Sequence, residues 1–156
     1  KTEKGRKDMA LGTAKSTANV VWEGSLMEGG GQVSAASGVF SDLAVSWLAR
    51  TERSSPTTSP EELLASAHAA CFSMALSNGL TKADTPPTKL EVSATVTFAQ
   101  QEVGWKVDSS AIMVTGTVPG ATAEGFQEAA EAAKDGCPIS KAIMGNVELS
   151  VEATLA

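Results

Sequence analysis

Hydrophobic and polar positions follow two different rhythms along this chain. Leu90, Val92, Ala94, Val96 and Phe98 alternate with polar neighbours, as do Val147, Leu149, Val151, Ala153 and Leu155, and a period of two predicts half-buried strands. Residues 105–118 predict another strand, whose apolar phase passes from odd to even positions near Ala111 and Ile112, the mark of a β-bulge. Upstream, 18–26 and 32–40 flank the turn-rich Glu28-Gly29-Gly30-Gly31 and predict a hairpin, which a strand over 43–49 extends.

Helical spacing prevails in three places. Residues 60–78 open with Ser59 as N-cap, Pro60 at the first helical position and Glu62 completing a capping box, and Gly79 predicts the stop. Leu63, Leu64, Ala67, Ala70, Cys71, Met74 and Ala75 occupy one broad face while Ala65, Ala69, Phe72 and Leu76 fill others, so this helix is apolar nearly all round and expected to be buried. Residues 122–134 place Glu124, Glu128 and Glu131 opposite Phe126, Ala129, Ala130 and Ala133, an amphipathic surface helix ending at Gly136. A short turn over 138–144 begins with a proline and ends at Gly145. Strands grouped before and after helices predict an α+β fold rather than strict β-α alternation. A Ser-, Thr- and Pro-rich loop over 51–59 joins the first sheet to the central helix, and no repeat or domain linker interrupts the chain. Residues 1–16 are read as a flexible N-terminal segment or expression remnant, leaving 17–156 as a single domain.

Composition narrows the functional classes. With 156 residues, 42% hydrophobic and 19% charged, the chain is long enough for a real core and unlike a disordered sequence. A net charge of −6 repels phosphate backbones and anionic lipid, so neither nucleic acid nor a membrane surface is an expected partner. No apolar stretch is read as approaching the roughly 18 residues of a membrane span. Lys1 to Lys7 lead into no signal-peptide core, which predicts a soluble, cytoplasmic protein.

Cys71 and Cys137 are the two cysteines, 66 positions apart, and with a single histidine they cannot fill a four-ligand zinc site of cysteine and histidine. Zinc is therefore disfavoured. In a cytosolic chain the two are either a redox pair or unrelated buried thiols, and composition alone favours the second. Their surroundings shift that balance. Cys137, between Gly136 and Pro138 at a helix start, meets free amides that lower a thiol pKa, whereas Cys71 lies deep in a buried helix where desolvation raises it. Cys71 therefore needs a nearby cation to become a nucleophile.

The run from Pro60 through Leu76, with Gly136-Cys137-Pro138-Ile139-Ser140 downstream, strongly resembles the OsmC/Ohr family of osmotically inducible and organic hydroperoxide resistance proteins, in particular its OsmC branch. The resemblance extends to Trp22-Glu23-Gly24 and Ser37-Gly38-Val39. It implies antiparallel sheets packed around a long buried central helix, an intertwined homodimer, and a thiol peroxidase that reduces organic hydroperoxides and hydrogen peroxide without a cofactor. By motif, Cys71 is the peroxidatic cysteine, Cys137 the resolving one and Glu61 the acidic partner of an arginine. Arg50, following Val45-Ser46-Trp47-Leu48-Ala49 as the family arginine follows its strand, is the choice, with Arg53 as the alternative because the spacing to Pro60 is about one residue long. An external dithiol, a lipoylated protein or a thioredoxin-type donor, reduces the Cys71–Cys137 disulfide in this scheme.

Other candidates carry blander readings. His68, one turn before Cys71, is a base only if it is not a hydrogen-bonded core residue, and the latter is the commoner role of a histidine on an apolar helix. Gly29-Gly30-Gly31 lacks the pattern of a phosphate loop and reads as a turn. Trp47 or Phe72 lines a pocket for an apolar peroxide tail, or simply packs. A non-enzymatic small-molecule or stress-binding module, and a structural protein with incidental thiols, stay open beside the enzyme.

Overall fold

In the computed structural model, which describes residues 12–52 and 56–156, a long helix links two three-stranded sheets. The first sheet holds β1 (Ala18–Glu23), β2 (Gly30–Ala35) and β3 (Leu43–Val45) in that order, all antiparallel, so the predicted hairpin is present with shorter strands. Gly31 is required here, since a Cβ on it would stand 2.9 Å from the Trp22 ring and 3.0 Å from the Val45 side chain. The strand expected over 43–49 is overturned beyond Val45. Ser46 Oγ accepts from Ala49 N at 3.1 Å and caps a helical turn, α1 (Trp47–Thr51), so Arg50 lies on a helix and not at a strand end. Alternation of Leu43, Val45, Trp47 and Ala49 imitates a strand, but a serine able to cap its own turn competes with the ladder.

Helix α2 (Pro60–Lys82) starts where its capping box places it, with Ser59 Oγ accepting from Glu62 N at 3.1 Å. It does not stop at Gly79. Phe72, Leu76 and Leu80 are buried at four-residue spacing, and burying Leu80 is worth about 1.5–3 kcal/mol against about 1 kcal/mol for a helical glycine. The chain reverses only after Ala83, with Asp84 at φ 60°. At 23 residues and a mean hydropathy of 1.2 over its best 18, α2 also corrects the expectation that no stretch approaches span length. It is a core helix instead, since it packs on both the sheet and the later helices and buries Glu61 and His68 with polar partners.

The second sheet has the order β4 (Lys89–Gln101), β5 (Gly104–Thr117), β6 (Glu148–Leu155). β4 and β5 pair antiparallel, but β5 and β6 run parallel, correcting the expectation of antiparallel sheets throughout. Parallel neighbours need a crossover, and α3 (Ala123–Gly136) with α4 (Pro138–Ile143) provides it. The bulge lies earlier than the apolar pattern implied: Thr97 faces Ser109 and Phe98 faces Val107, leaving Asp108 as the extra residue. That insertion turns Ser110, Ile112 and Val114 inward, and phase alone located it only to within three residues. Thr122 Oγ1 caps α3 by accepting from Gly125 N at 3.0 Å, and Phe126 of α3 lies directly over Gly116 of β5, where a Cβ would strike the ring. The core is thus a layer between sheet and helices, centred on Phe72, Leu76, Ile112, Val114 and Phe126.

All-round burial of α2 is not met in this chain. Met74 on its outer face is 73% exposed, and Val20 and Val21 of the first sheet are 58% and 65% exposed.

Candidate active site

The peptide run after α3 turns at Cys137, which ends that helix and opens α4, while Cys71 reaches it from the fourth turn of α2. Both thiols are free, Cys137 fully buried and Cys71 partly so, and the two sulfurs interact directly. Burial pushes the Cys71 thiol above its ordinary value; the adjoining Cys137 thiol adds to this and the Ile139 N–H only partly opposes it. Burial also pushes Cys137 upward, yet the Cys71 thiol, the N–H and hydroxyl of Ser140 and the N–H of Ile139 outweigh it and hold Cys137 below the ordinary value. Among the described residues, no cation contributes to the setting of Cys71. The asymmetry expected of a helix-start thiol beside a desolvated one is present.

At the N-terminal end of α2, Arg50 of α1 meets Glu61 in a forked ion pair, Nη2 to Oε1 at 2.6 Å and Nε to the two carboxylate oxygens at 3.1 and 3.2 Å. Such a two-point pair fixes the plane of the guanidinium, which a lysine could not do. Phe98 of β4 supports its face, with the ring centroid 4.1 Å from Cζ, and Trp47 stands 5.7 Å away. Trp47, Phe98 and Trp105 pack together, the last two stacked at 4.8 Å. This pair borders a cleft of about 410 Å³ between α2 and β4. A second, apolar cavity of about 350 Å³ lies beside Arg50 and Trp47, walled by Val20, Trp22, Val33 and Leu63. Phe72 lies wholly in the core. Arg53 falls outside the described residues.

The two halves do not meet. Glu61 and Cys71 are ten residues apart on one uninterrupted helix, about 15 Å along its axis.

His68 has the blander of its two roles. It is fully buried, with Nδ1 2.7 Å from Ser110 Oγ and Nε2 2.8 Å from Ser140 Oγ, and desolvation lowers its pKa below 6.5. Sequence reasoning passed over both serines. Ser110 stands on the inward register of β5 and Ser140 follows Cys137 in its motif, but a small polar residue at a buried position shows its role only once its partner is in place. A neutral imidazole in the folded state and a protonated one in the unfolded chain mean that the unfolded state binds more protons below pH 6.5, so stability falls as pH falls through that value. Denaturant unfolding at successive pH values should show a loss of up to about 1.4 kcal/mol per pH unit, and His68→Gln should flatten that part of the profile.

Two contacting thiols under a mixed sheet, with an arginine–glutamate fork at the N-terminus of the helix that carries one of them, define a two-cysteine α+β protein. The family model for OsmC-like protein matches residues 52–152. The peroxiredoxin OsmC of Escherichia coli (strain K12) is 37% identical over 131 residues, covering 84% of this chain and 91% of that protein. The organic hydroperoxide resistance protein OhrB of Bacillus subtilis (strain 168) is 32% identical over 148 residues, 92% of this chain and 98% of that one. A crystal structure of an organic hydroperoxide resistance protein from Elizabethkingia anophelis aligns with a TM-score of 0.70 at 26% identity, covering 92% of this chain and 99% of the other. This chain belongs to the OsmC/Ohr family.

Proposed function

We propose that this protein is a cytoplasmic thiol peroxidase that reduces organic hydroperoxides, and hydrogen peroxide, in stress defence. The observation that carries the reading is the contact between Cys71 and Cys137, the chain's two cysteines, brought together across 66 positions. The Cys71 thiolate attacks one peroxide oxygen, the O–O bond breaks, and the departing alkoxide takes a proton to leave as alcohol. Cys71 is then a sulfenic acid. Cys137 attacks its sulfur, the S–O bond breaks, and water leaves as the disulfide forms. An external dithiol, lipoylated or thioredoxin-type, returns both thiols by exchange and is itself oxidised.

An activated Cys71 requires a cation, and Arg50 held by Glu61 is the group suited to stabilise the thiolate and orient the peroxide. Within one chain it sits too far away. A homodimer in which two α2 helices cross near a two-fold axis would bring the fork of one subunit to the thiols of the other and give two composite sites. Exposed Met74 on α2 and exposed Val20 and Val21 on the first sheet support this reading, because they are apolar surface without cover in the single subunit. The apolar cavity beside Arg50 suits an alkyl tail.

Counting free thiols after mixing with one equivalent of an organic hydroperoxide tests the reading. Both cysteines should be lost together, into one intramolecular disulfide, within seconds. Thiols that stay free would overturn it in favour of a binding module on the same fold.

A further inference from the structure

Behind Cys137 runs a chain of buried polar groups that the reaction above does not use. Ser110 of β5, His68 of α2 and Ser140 of α4 are fully buried, come from three different elements, and are joined end to end by hydrogen bonds of 2.7 and 2.8 Å through the imidazole. Ser140 also faces the Cys137 sulfur with its hydroxyl. No described side chain in the interior is left without a hydrogen-bond partner, so this chain is complete.

From this geometry we propose that His68 and Ser140 are positioning residues for the resolving step: they aim a hydroxyl proton at the sulfur of Cys137 and hold it ready, as an anion, to attack Cys71. The inference rests on the disulfide reading and deepens it. A neutral imidazole has one N–H and one lone pair. With the Ser110 hydroxyl donating to Nδ1, the imidazole proton lies on Nε2 and is donated to Ser140 Oγ, which leaves the Ser140 proton for the sulfur. Reversing every bond lets the Cys137 thiol donate to Ser140 instead, so the same groups suit both thiol and thiolate without charging the histidine. The step itself balances: the Cys137 thiol gives up its proton to become the attacking anion, the two sulfurs join as the S–O bond of the Cys71 sulfenic acid breaks, and the departing hydroxide takes up one proton to leave as water. His68 thus serves Cys137, although it lies one turn from Cys71 on the same helix.

The alternative is that the chain merely ties three elements together, and separate measurement of the two chemical steps distinguishes these. The full chain is reacted with one equivalent of cumene hydroperoxide, with a sulfenic-acid trap reporting Cys71 oxidation and thiol counting reporting disulfide formation. Ser140→Ala should leave oxidation within roughly twofold of wild type but slow disulfide formation about tenfold or more, the scale of one hydrogen bond to an anion. Ser140→Thr should restore the rate. Ser110→Ala removes a bond from the same buried chain at its far end and should slow disulfide formation far less. His68→Gln, which cannot span both serines, should slow the same step and serves if Ser140→Ala does not fold. Disulfide formation at the wild-type rate in Ser140→Ala, or equal slowing in Ser110→Ala and Ser140→Ala without rescue by threonine, would overturn the proposal. A wild-type protein that forms no disulfide would instead remove the reading on which it rests.

Discussion

Cys71→Ser is expected to lower hydroperoxide consumption by about three orders of magnitude or more, because a serine hydroxyl at neutral pH is not ionised and the attacking atom is gone. Cys137→Ser should behave differently. Its Cys71 can still be oxidised once, after which no second thiol lies within reach and the sulfur stalls as sulfenic acid or proceeds to sulfinic acid. Stoichiometric oxidation followed by arrest is visible as a single burst of peroxide loss, with mass spectrometry recording one or two added oxygens. Equal partial loss in the two variants would contradict the assigned roles. The asymmetry follows from the site, where Cys137 is enclosed on all sides and Cys71 retains some exposure.

The second large effect concerns subunits. Glu61→Ala should leave Arg50 without its carboxylate fork, and Cys71→Ser removes the nucleophile, so each variant alone should be nearly inactive. Mixing them after reversible dissociation should restore about a quarter of wild-type activity, because half of the dimers are hybrids and each hybrid has one intact site of two. A site built within one subunit would recover nothing. The expectation derives from helix geometry, since about 15 Å of continuous helix separates Glu61 from Cys71 within the chain.

Much of this was legible in the residues. The capping box at Ser59 placed the start of α2 because caps act locally, through a bond between residues three apart. Period-two alternation located β4 and β6 for a similar reason, since a sheet with one buried face must alternate. Three features were misread or missed, the first two because they depended on distant partners. Gly79 looked like a terminator until Leu80 found a core to enter, and β6 carried no sign that it would join β5 in parallel. Trp47 and Ala49 alternated like a strand until Ser46 folded back on its own turn. At the site, cysteines and their motifs were readable; Arg50 does pair with Glu61, but from a helix and not from the strand end assumed for it. Ser110 and Ser140 were not legible, because a buried serine acquires meaning from whichever imidazole or sulfur lies across from it.

The aromatic packing around the fork has a further consequence for how the molecule can be observed. Trp47 and Trp105 stand edge to face at 5.6 Å, one of them within 5.7 Å of the Arg50 guanidinium. Indole emission depends on nearby charge and on contact with other rings, so two of the chain's three tryptophans form an optical probe at the fork. A guanidinium that swings off Phe98 to meet a bound anion or peroxide changes the electric field across Trp47, and the protein reports that movement in its own fluorescence without any added dye.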